Sequence, residues 1–333
     1  MKPNLFFPPG HALKLLQKIQ RHESAIELVY VSHERWPLPV RPQPQAKPDA
    51  IHISVLDSSF NPPTHAHLAL ANSLPVRHTT KSGLPDSDLP SAAALDYDAK
   101  LLLLSVRNVD KALKPADATY EQRLEMMYLL SKHISASSGP SHFPGGTSES
   151  GYANVAIAII DEPTFVGKAA VLRHFLRARM TGLYTAVDEK DTTPASDEIS
   201  IPSARLVFLI GFDTLVRLLA PRYYGSEAAM MDALRLFFSP EGDDSYVVCA
   251  RRTSAEVERT VQEELEARTL SAAEEFVEKE RIALINIGAD EISSSEVRAK
   301  IAMKDETWKR LVTASIANYI IENRLYASES QST

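Results

Sequence analysis

Six short, largely apolar runs separated by segments of helical character constrain the fold of this chain most strongly. Each run is five or six residues long. A continuous apolar run of that length is typical of a strand that is covered on both faces, as in a parallel sheet with helices on either side. The pattern predicts an α/β fold, a Rossmann-like doubly wound parallel sheet. The predicted strands are residues 51–56, 101–106, 155–160, 206–210, 246–250 and 282–287.

The segments between these runs are predicted to be helices, and two helix starts carry the residue pattern of a capping box. Thr119 with Gln122 marks one start, and Ser293 with Glu296 marks the other. A Glu-rich stretch at 255–279 is also predicted to be helical, with its charges on a solvated face. The predicted helices between the strands are residues 64–73, 119–134, 166–180, 213–219 and 228–237.

Three stretches rich in Ser, Thr, Pro, Gly and Asp interrupt this alternation and are predicted to be loops or disordered insertions. They are residues 75–97, 135–153 and 182–203. The main domain is predicted at 50–326, and a disordered tail is predicted at 327–333.

Residues 1–48 are predicted to form an N-terminal accessory segment that ends in a proline-rich linker. A helix is expected at 12–21 and a strand at 26–31. The segment either packs on the edge of the sheet or has a separate role. Residues 1–21 carry basic but no acidic side chains, which leaves organelle targeting open as a less favoured alternative.

Charge and cysteine content restrict the partners and the compartment. The formal net charge of −7 argues against a nucleic-acid partner, because binding to a phosphate backbone requires clustered Lys and Arg. No apolar run approaches the roughly 18 residues of a membrane span, so no membrane partner is expected. The single cysteine, Cys249, lies in a predicted strand and is expected to be a small core residue. A reducing compartment is expected, the cytoplasm, the nucleus or both.

Residues 58–67 read Ser-Ser-Phe-Asn-Pro-Pro-Thr-His-Ala-His and directly follow the first predicted strand. A proline-containing turn would lead into a helix whose first turn carries Thr64, His65 and His67. Free backbone N–H groups and the positive end of the helix dipole favour an anion at such a point. The pattern therefore indicates a phosphate site, although a surface helix that carries two histidines would show the same residues.

A second segment of this kind lies far downstream, at residues 292–298, and reads Ile-Ser-Ser-Ser-Glu-Val-Arg. It also follows a predicted strand and opens a helix, and Arg298 lies in the first turns of that helix. Two phosphate sites in one chain indicate a single polyphosphate ligand.

These two segments resemble the motifs of the nicotinamide mononucleotide adenylyltransferases, a family of the nucleotidyltransferase superfamily. The family motifs are Gly-x-Phe-x-Pro-x-(Thr or His)-x-x-His and Ile-Ser-Ser-Thr-x-x-Arg. Ser295 replaces the threonine of the second motif, and Ser58 stands where the first motif has glycine. The matching residues are Phe60, Asn61, Pro62, Thr64 and His67 in the first motif and Ile292, Ser293, Ser294 and Arg298 in the second.

Further stretches occur in the family's order, so the resemblance covers residues 50–326 and indicates a divergent eukaryotic, fungal-type branch. These stretches are residues 123–127, 208–215, 247–251 and 312–326. The resemblance implies a transferase of NAD biosynthesis that moves the adenylyl group of ATP to nicotinamide mononucleotide or its nicotinate analogue, with release of pyrophosphate. It implies small-molecule nucleotides as partners, Mg²⁺ as the accompanying ion with no metal ligands from the protein, and it leaves an oligomer possible.

The resemblance also implies roles for individual residues. His67 and Arg298 are the expected catalytic residues, and His65 is expected to be a bystander. Lys111 and Arg251 are candidate phosphate or substrate contacts. The expected ATP-binding residues are Ser58, Ser59, Phe60, Thr64, His67, Gly211, Asp213, Ser294, Ser295 and Arg298.

Three points stay open at the level of sequence. The chain's two tryptophans, Trp36 and Trp308, lie outside the segment expected to stack on the pyridine ring, where Phe165 or Tyr184 could substitute. Asp213 could be a nucleotide contact, a helix N-cap or both. The same ATP site could also belong to an ATP hydrolase or to a catalytically weakened ATP-binding regulatory protein.

Overall fold

The computed structural model describes residues 7–8, 10–40, 49–75, 96–107, 117–135, 153–188, 201–251, 256–288 and 292–327. Within these ranges a seven-stranded sheet has the order β1-β4-β3-β2-β5-β6-β7. Strands β2 to β7 pair in parallel, and β1 pairs antiparallel with β4 at one edge. The strands are β1 Ile26–Val31, β2 Ala50–Asp57, β3 Ala99–Ser105, β4 Val155–Ile160, β5 Ser203–Gly211, β6 Tyr246–Ala250 and β7 Ile282–Ile285.

Helices cover both faces of the sheet, so the predicted doubly wound α/β fold is confirmed. Two short 3₁₀ helices, Pro221–Tyr223 and Glu306–Leu311, lie among them. The α-helices in the described ranges are α1 His11–Gln20, α2 His65–Ala71, α3 Tyr120–Ser131, α4 Phe165–Asp188, α5 Phe212–Leu218, α6 Glu227–Phe238, α7 Glu256–Ser271, α8 Glu274–Glu278, α9 Ser294–Ala302 and α10 Ala314–Glu322.

Alternating side chains of the central strands divide the core into two layers. In β3, Leu102 and Leu104 face the layer under α1, α2, α3 and α10, whereas Leu101 and Leu103 face the layer under α4, α5 and α6. All four leucines are almost completely buried. Full burial of one such side chain contributes about 1.5–3 kcal/mol, which is why these runs contain almost no polar residues.

The prediction that residues 182–203 form a loop insertion is wrong at both ends. Helix α4 continues to Asp188, and β5 already begins at Ser203. Leu183 and Tyr184 pack against the second core layer, and this burial extends the helix past Gly182. Residues 189–200 lie outside the described residues, as do 76–95 and 136–152 of the other two predicted insertions and 328–333 of the predicted tail.

The N-terminal segment contributes to the sheet. Strand β1 matches the predicted strand residue for residue and pairs with β4, and α1 buries Leu15, Leu16 and Ile19 in the first core layer. The segment thus packs on the edge of the sheet, while the division of the chain into an accessory part and a main domain stays a prediction.

The strand order places a topological switch point between β2 and β5. From β2 the chain moves outward through β3 and β4, and from β5 it moves outward in the other direction through β6 and β7. Ligands of open α/β sheets bind in the crevice outside the carboxyl ends of the strands at such a point. Strand β2 ends at Asp57 and β5 ends at Gly211, so residues 58–67 begin at this crevice.

Two further sequence expectations concern the core and membranes. Cys249 is a buried free thiol in β6, as expected, and burial raises its pKa to about 12. Among the helices of the described ranges, none is both long enough and apolar enough to cross a membrane.

Candidate phosphate-binding site

The first motif forms a loop between β2 and α2 that is anchored by an aromatic side chain. Phe60 is fully buried in the first core layer and has a φ of 45°, in the left-handed region. Thr64 is the N-cap of α2, so the helix begins at His65, one residue later than predicted. The buried phenyl ring therefore holds the middle of the loop, while Ser58 and Ser59 before it stay partly exposed.

His67 is oriented by both ends of this loop. The backbone N–H of Thr64 donates to its Nδ1 at 3.1 Å, and the Thr64 hydroxyl lies 2.8 Å from the same nitrogen. Because Nδ1 accepts, the proton of the neutral ring is on Nε2, which lies 2.9 Å from the Ser58 hydroxyl and donates to it. Burial lowers the pKa of His67 to about 4, so the ring is neutral at physiological pH. The loop thus presents a neutral imidazole in one defined tautomer.

The second motif opens α9 and contacts the first motif directly. Ser293 is the predicted N-cap, and its side chain accepts from the backbone N–H of Glu296 at 3.1 Å. The hydroxyl of Ser294 donates to the carbonyl oxygen of Pro62 at 2.7 Å, and Arg298 Nη1 donates to the carbonyl oxygen of Asn61 at 2.5 Å. Two motifs more than two hundred residues apart in sequence therefore share one junction.

Behind this junction lies a polar cluster that sequence reasoning missed. Asn61 donates from Nδ2 to Asp117 at 2.8 Å and accepts at Oδ1 from the Tyr326 hydroxyl at 2.8 Å. The Asp117 carboxylate also lies 3.6 Å from Arg123 and 3.9 Å from Arg298. Asn61 and Asp117 are 56 residues apart, so no local pattern could have paired them. One carboxylate thus lies within 4 Å of two guanidinium groups behind the loop.

Arg123 of α3 holds the same loop from its other side. Its Nε donates to the carbonyl oxygen of Ala118 at 2.9 Å, and its Nη1 donates to that of Ser59 at 3.4 Å. Burial lowers the pKa of this guanidinium, and the nearby Asp117 carboxylate opposes that shift. Arg123 and Arg298 therefore clamp the loop backbone at Ser59 and Asn61.

The end of β5 forms the opposite side of the crevice. Gly211 is the N-cap of α5, and a Cβ atom built on it would meet no other atom within 4 Å. Asp213 lies in the first turn of α5, so its alternative role as the N-cap is wrong. The backbone at Gly211 therefore faces open space, and its role in ATP binding stays a prediction together with that of Asp213.

A buried ion pair closes the end of β2 from the second core layer. Lys168 of α4 pairs with Asp57, and both side chains are less than 10% exposed. The Lys168 ammonium also lies 5.0 Å from the ring centroid of Phe165, which packs edge-on against Phe208. Asp57 and Lys168 are 111 residues apart, and no local pattern could have paired them.

The aromatic candidates for stacking on the pyridine ring differ in their distance from the end of β2. Phe165 begins α4 near the end of β2, whereas Tyr184 lies 19 residues further along the same helix. A rise of about 1.5 Å per residue places it roughly 28 Å away along the axis, which removes Tyr184 from the site. Trp36 and Trp308 are buried in the two core layers. Phe165 is the candidate that remains.

Of the two candidate basic contacts, the structure describes Arg251 but not Lys111. Arg251 follows β6 and lies 3.2 Å from Glu266 of α7, where its side chain is 46% exposed. Lys111 lies outside the described residues. Within the described ranges no group of three or more His, Cys, Asp or Glu side chains could hold a metal ion.

Comparison with known proteins gives one informative match. No family model matches the chain. The chain is similar to a Schizosaccharomyces pombe protein with the name "Putative nicotinamide mononucleotide adenylyltransferase", with 28% identity over 275 residues that cover 80% of this chain and 83% of the relative. This relative carries the name of the family that the two motifs resemble. The match confirms the resemblance predicted from the two motifs and the predicted enzyme class, nucleotidyltransferase.

Two solved structures from Plasmodium falciparum are also similar to the chain. Both are of nicotinic acid mononucleotide adenylyltransferase, one complexed with APC and one with NaAD. Their TM-scores are 0.37 and 0.39 and their identities 13% and 14%, and each match covers 83% of this chain and 97% of the other.

Proposed function

We propose that the chain transfers the adenylyl group of ATP to nicotinamide mononucleotide or its nicotinate analogue and releases pyrophosphate. The observation that carries this proposal is the contact between the two phosphate motifs at the switch point of the sheet. Ser294 and Arg298 bond the backbone of Pro62 and Asn61, so the starts of α2 and α9 are adjacent at one crevice. A triphosphate can be held at both ends by such a site.

Different residues of the site are proposed to contact different parts of ATP. The backbone N–H groups at Ser294 and Ser295 and the guanidinium of Arg298 hold the β and γ phosphates. His67 orients the loop on the other side of the crevice, with its neutral tautomer set by Thr64. Ser59 and Phe60 shape the loop, and Gly211 with Asp213 borders the nucleoside.

The reaction needs little acid–base chemistry from the protein. The attacking phosphate oxygen of the mononucleotide is already anionic, so no general base is required to activate it. Its attack forms a bond to the α-phosphorus of ATP, and the bond to the bridging oxygen breaks as pyrophosphate leaves. Catalysis then comes from in-line positioning and from donors aimed at the charge that builds on pyrophosphate.

Mg²⁺ is proposed to enter with ATP. The described residues offer no three-ligand cage, and Mg²⁺ commonly keeps several waters and binds through substrate phosphates. When bound, it would neutralise charge on the phosphate oxygens. The residues of this chain add Arg298 and the N–H groups of α9 to the same anion.

Phe165 is the proposed contact for the acceptor ring. Its ring is partly buried at the start of α4, close to the Asp57–Lys168 pair at the end of β2. An aromatic face can stack on a pyridine ring. Phe165→Leu would keep the apolar volume and remove the stacking face, so it should raise the KM for the mononucleotide more than the KM for ATP.

Chromatographic separation of the products tests the proposal. The chain is mixed with ATP, Mg²⁺ and either nicotinamide or nicotinate mononucleotide, and dinucleotide should appear. His67→Ala should abolish most of this product. His65→Ala is the matched control on the same helical turn and should retain it. ADP and phosphate alone would indicate an ATP hydrolase, and intact ATP with preserved binding would indicate a regulatory protein.

A further inference from the structure

Ser58 occupies the position at which the first motif of the related family has glycine. Ser58 is not among the residues with positive φ, so its backbone does not require glycine there. Its side chain is partly exposed at the end of β2, beside the crevice. The hydroxyl is therefore a chemical addition to the phosphate loop at no conformational cost.

The hydrogen bonds of His67 leave the imidazole no free donor. Nδ1 accepts from the Thr64 N–H, and the single ring proton on Nε2 is donated to Ser58 at 2.9 Å. A serine hydroxyl can accept this bond and still donate its own proton to a third group. Among the described residues, His67 is the side chain that bonds the Ser58 hydroxyl.

We propose that the Ser58 hydroxyl is the direct donor to a phosphate of the bound nucleotide, and that His67 acts through it as a positioning residue. The chain of bonds runs from Thr64 N–H through the imidazole to Ser58 and then to the phosphate. Each bond in such a series polarises the next, which strengthens the terminal donor. The inference rests on the proposed function only in taking the anion to be a nucleotide phosphate.

The low pKa of His67 agrees with this arrangement. A neutral imidazole keeps one acceptor and one donor nitrogen, which the series requires, whereas a protonated ring would lose the acceptor for Thr64. With its pKa lowered to about 4 by burial, the ring stays neutral at physiological pH.

Binding of a non-hydrolysable ATP analogue and of adenosine, measured by calorimetry, tests this proposal. Ser58→Ala should weaken binding of the analogue by about 10- to 100-fold, the value of a hydrogen bond to a charged group, and leave adenosine binding unchanged. Ser58→Thr keeps the hydroxyl and should restore most of the affinity. Equal analogue binding by Ser58→Ala and the wild type, or tighter binding by the variant, would overturn the proposal.

A double-mutant cycle distinguishes a series of hydrogen bonds from two independent contacts with the phosphate. If His67 acts through Ser58, the Ser58→Ala/His67→Ala double variant should lose no more affinity for the analogue than the weaker-binding single variant. Additive losses would show that each residue contacts the phosphate by itself and would refute the series. Thermal unfolding of each variant checks that the fold persists. The cycle reads binding, so it remains informative even if no dinucleotide is formed.

Discussion

The two arginines predicted to meet phosphate lie in contrasting surroundings. Arg298 bonds the carbonyl oxygen of Asn61, lies 3.9 Å from Asp117 and is 30% exposed. The side chain of Arg251 pairs with Glu266 and is 46% exposed. A guanidinium held by several bonds is already oriented before the substrate binds. An exposed ion pair, in contrast, contributes only about 0–1 kcal/mol to stability. We therefore propose the anion-binding role for the α9 end of the site.

The largest effect is expected from Arg298→Ala. Loss of one preorganised donor to developing charge lowers kcat roughly 100- to 1000-fold, and Arg298→Lys should recover only part because it lacks the planar fork. The rate of dinucleotide formation measures both variants. A loss below about fivefold for Arg298→Ala would remove this residue from the reaction.

The partners of the two arginines give the second test. Asp117→Asn removes the carboxylate beside the buried Arg123 and should lower the free energy of unfolding by about 3 kcal/mol. Glu266→Gln, the matched change beside Arg251, should cost less than about 1 kcal/mol. Urea unfolding measures both, and equal losses would erase the contrast between the two regions.

A pH series tests the environment of His67. Its ordinary pKa is 6.5, and burial lowers the folded-state value to about 4. Below pH 6.5 the His67 ring therefore binds a proton more readily in the unfolded chain than in the folded one. For this reason the free energy of unfolding decreases as the pH falls from 6.5 toward 4. His67→Gln lacks the titration, so the wild type should lose stability relative to this variant over that window. A constant difference in unfolding free energy would contradict the burial of the ring.

The smallest effect is expected at the end of β6. Arg251→Ala removes a surface ion pair and should change kcat/KM by less than about fivefold. A loss comparable to that of Arg298→Ala would reverse the comparison and bring the β6 end into the phosphate site. The same dinucleotide assay measures it.

The fold was largely predictable because its signal is local. The apolar runs of β4 and β6 match the observed strands residue for residue, since strands buried on both faces exclude polar residues throughout. The extension of α4 to Asp188 was missed because Leu183 and Tyr184 are stabilised by packing on a distant part of the core. Tertiary burial there outweighs the local signal of Gly182.

The site was predictable only in part, because some of its residues are close together in sequence and others are far apart. Ser58, Thr64 and His67 lie within ten residues, so a short motif reveals them together. Asp117 and Lys168 reach the site from segments 56 and 111 residues away from their partners Asn61 and Asp57. Their positions follow from strand order and helix packing, which no short pattern encodes.

The most direct test of adenylyl transfer follows a label at the γ phosphorus of ATP in the presence of nicotinamide mononucleotide and Mg²⁺. Transfer breaks the bond between the α-phosphorus and the bridging oxygen, so the account predicts that the label leaves in pyrophosphate, in amounts equal to the dinucleotide formed. Label released as orthophosphate without dinucleotide would contradict the account and identify hydrolysis instead.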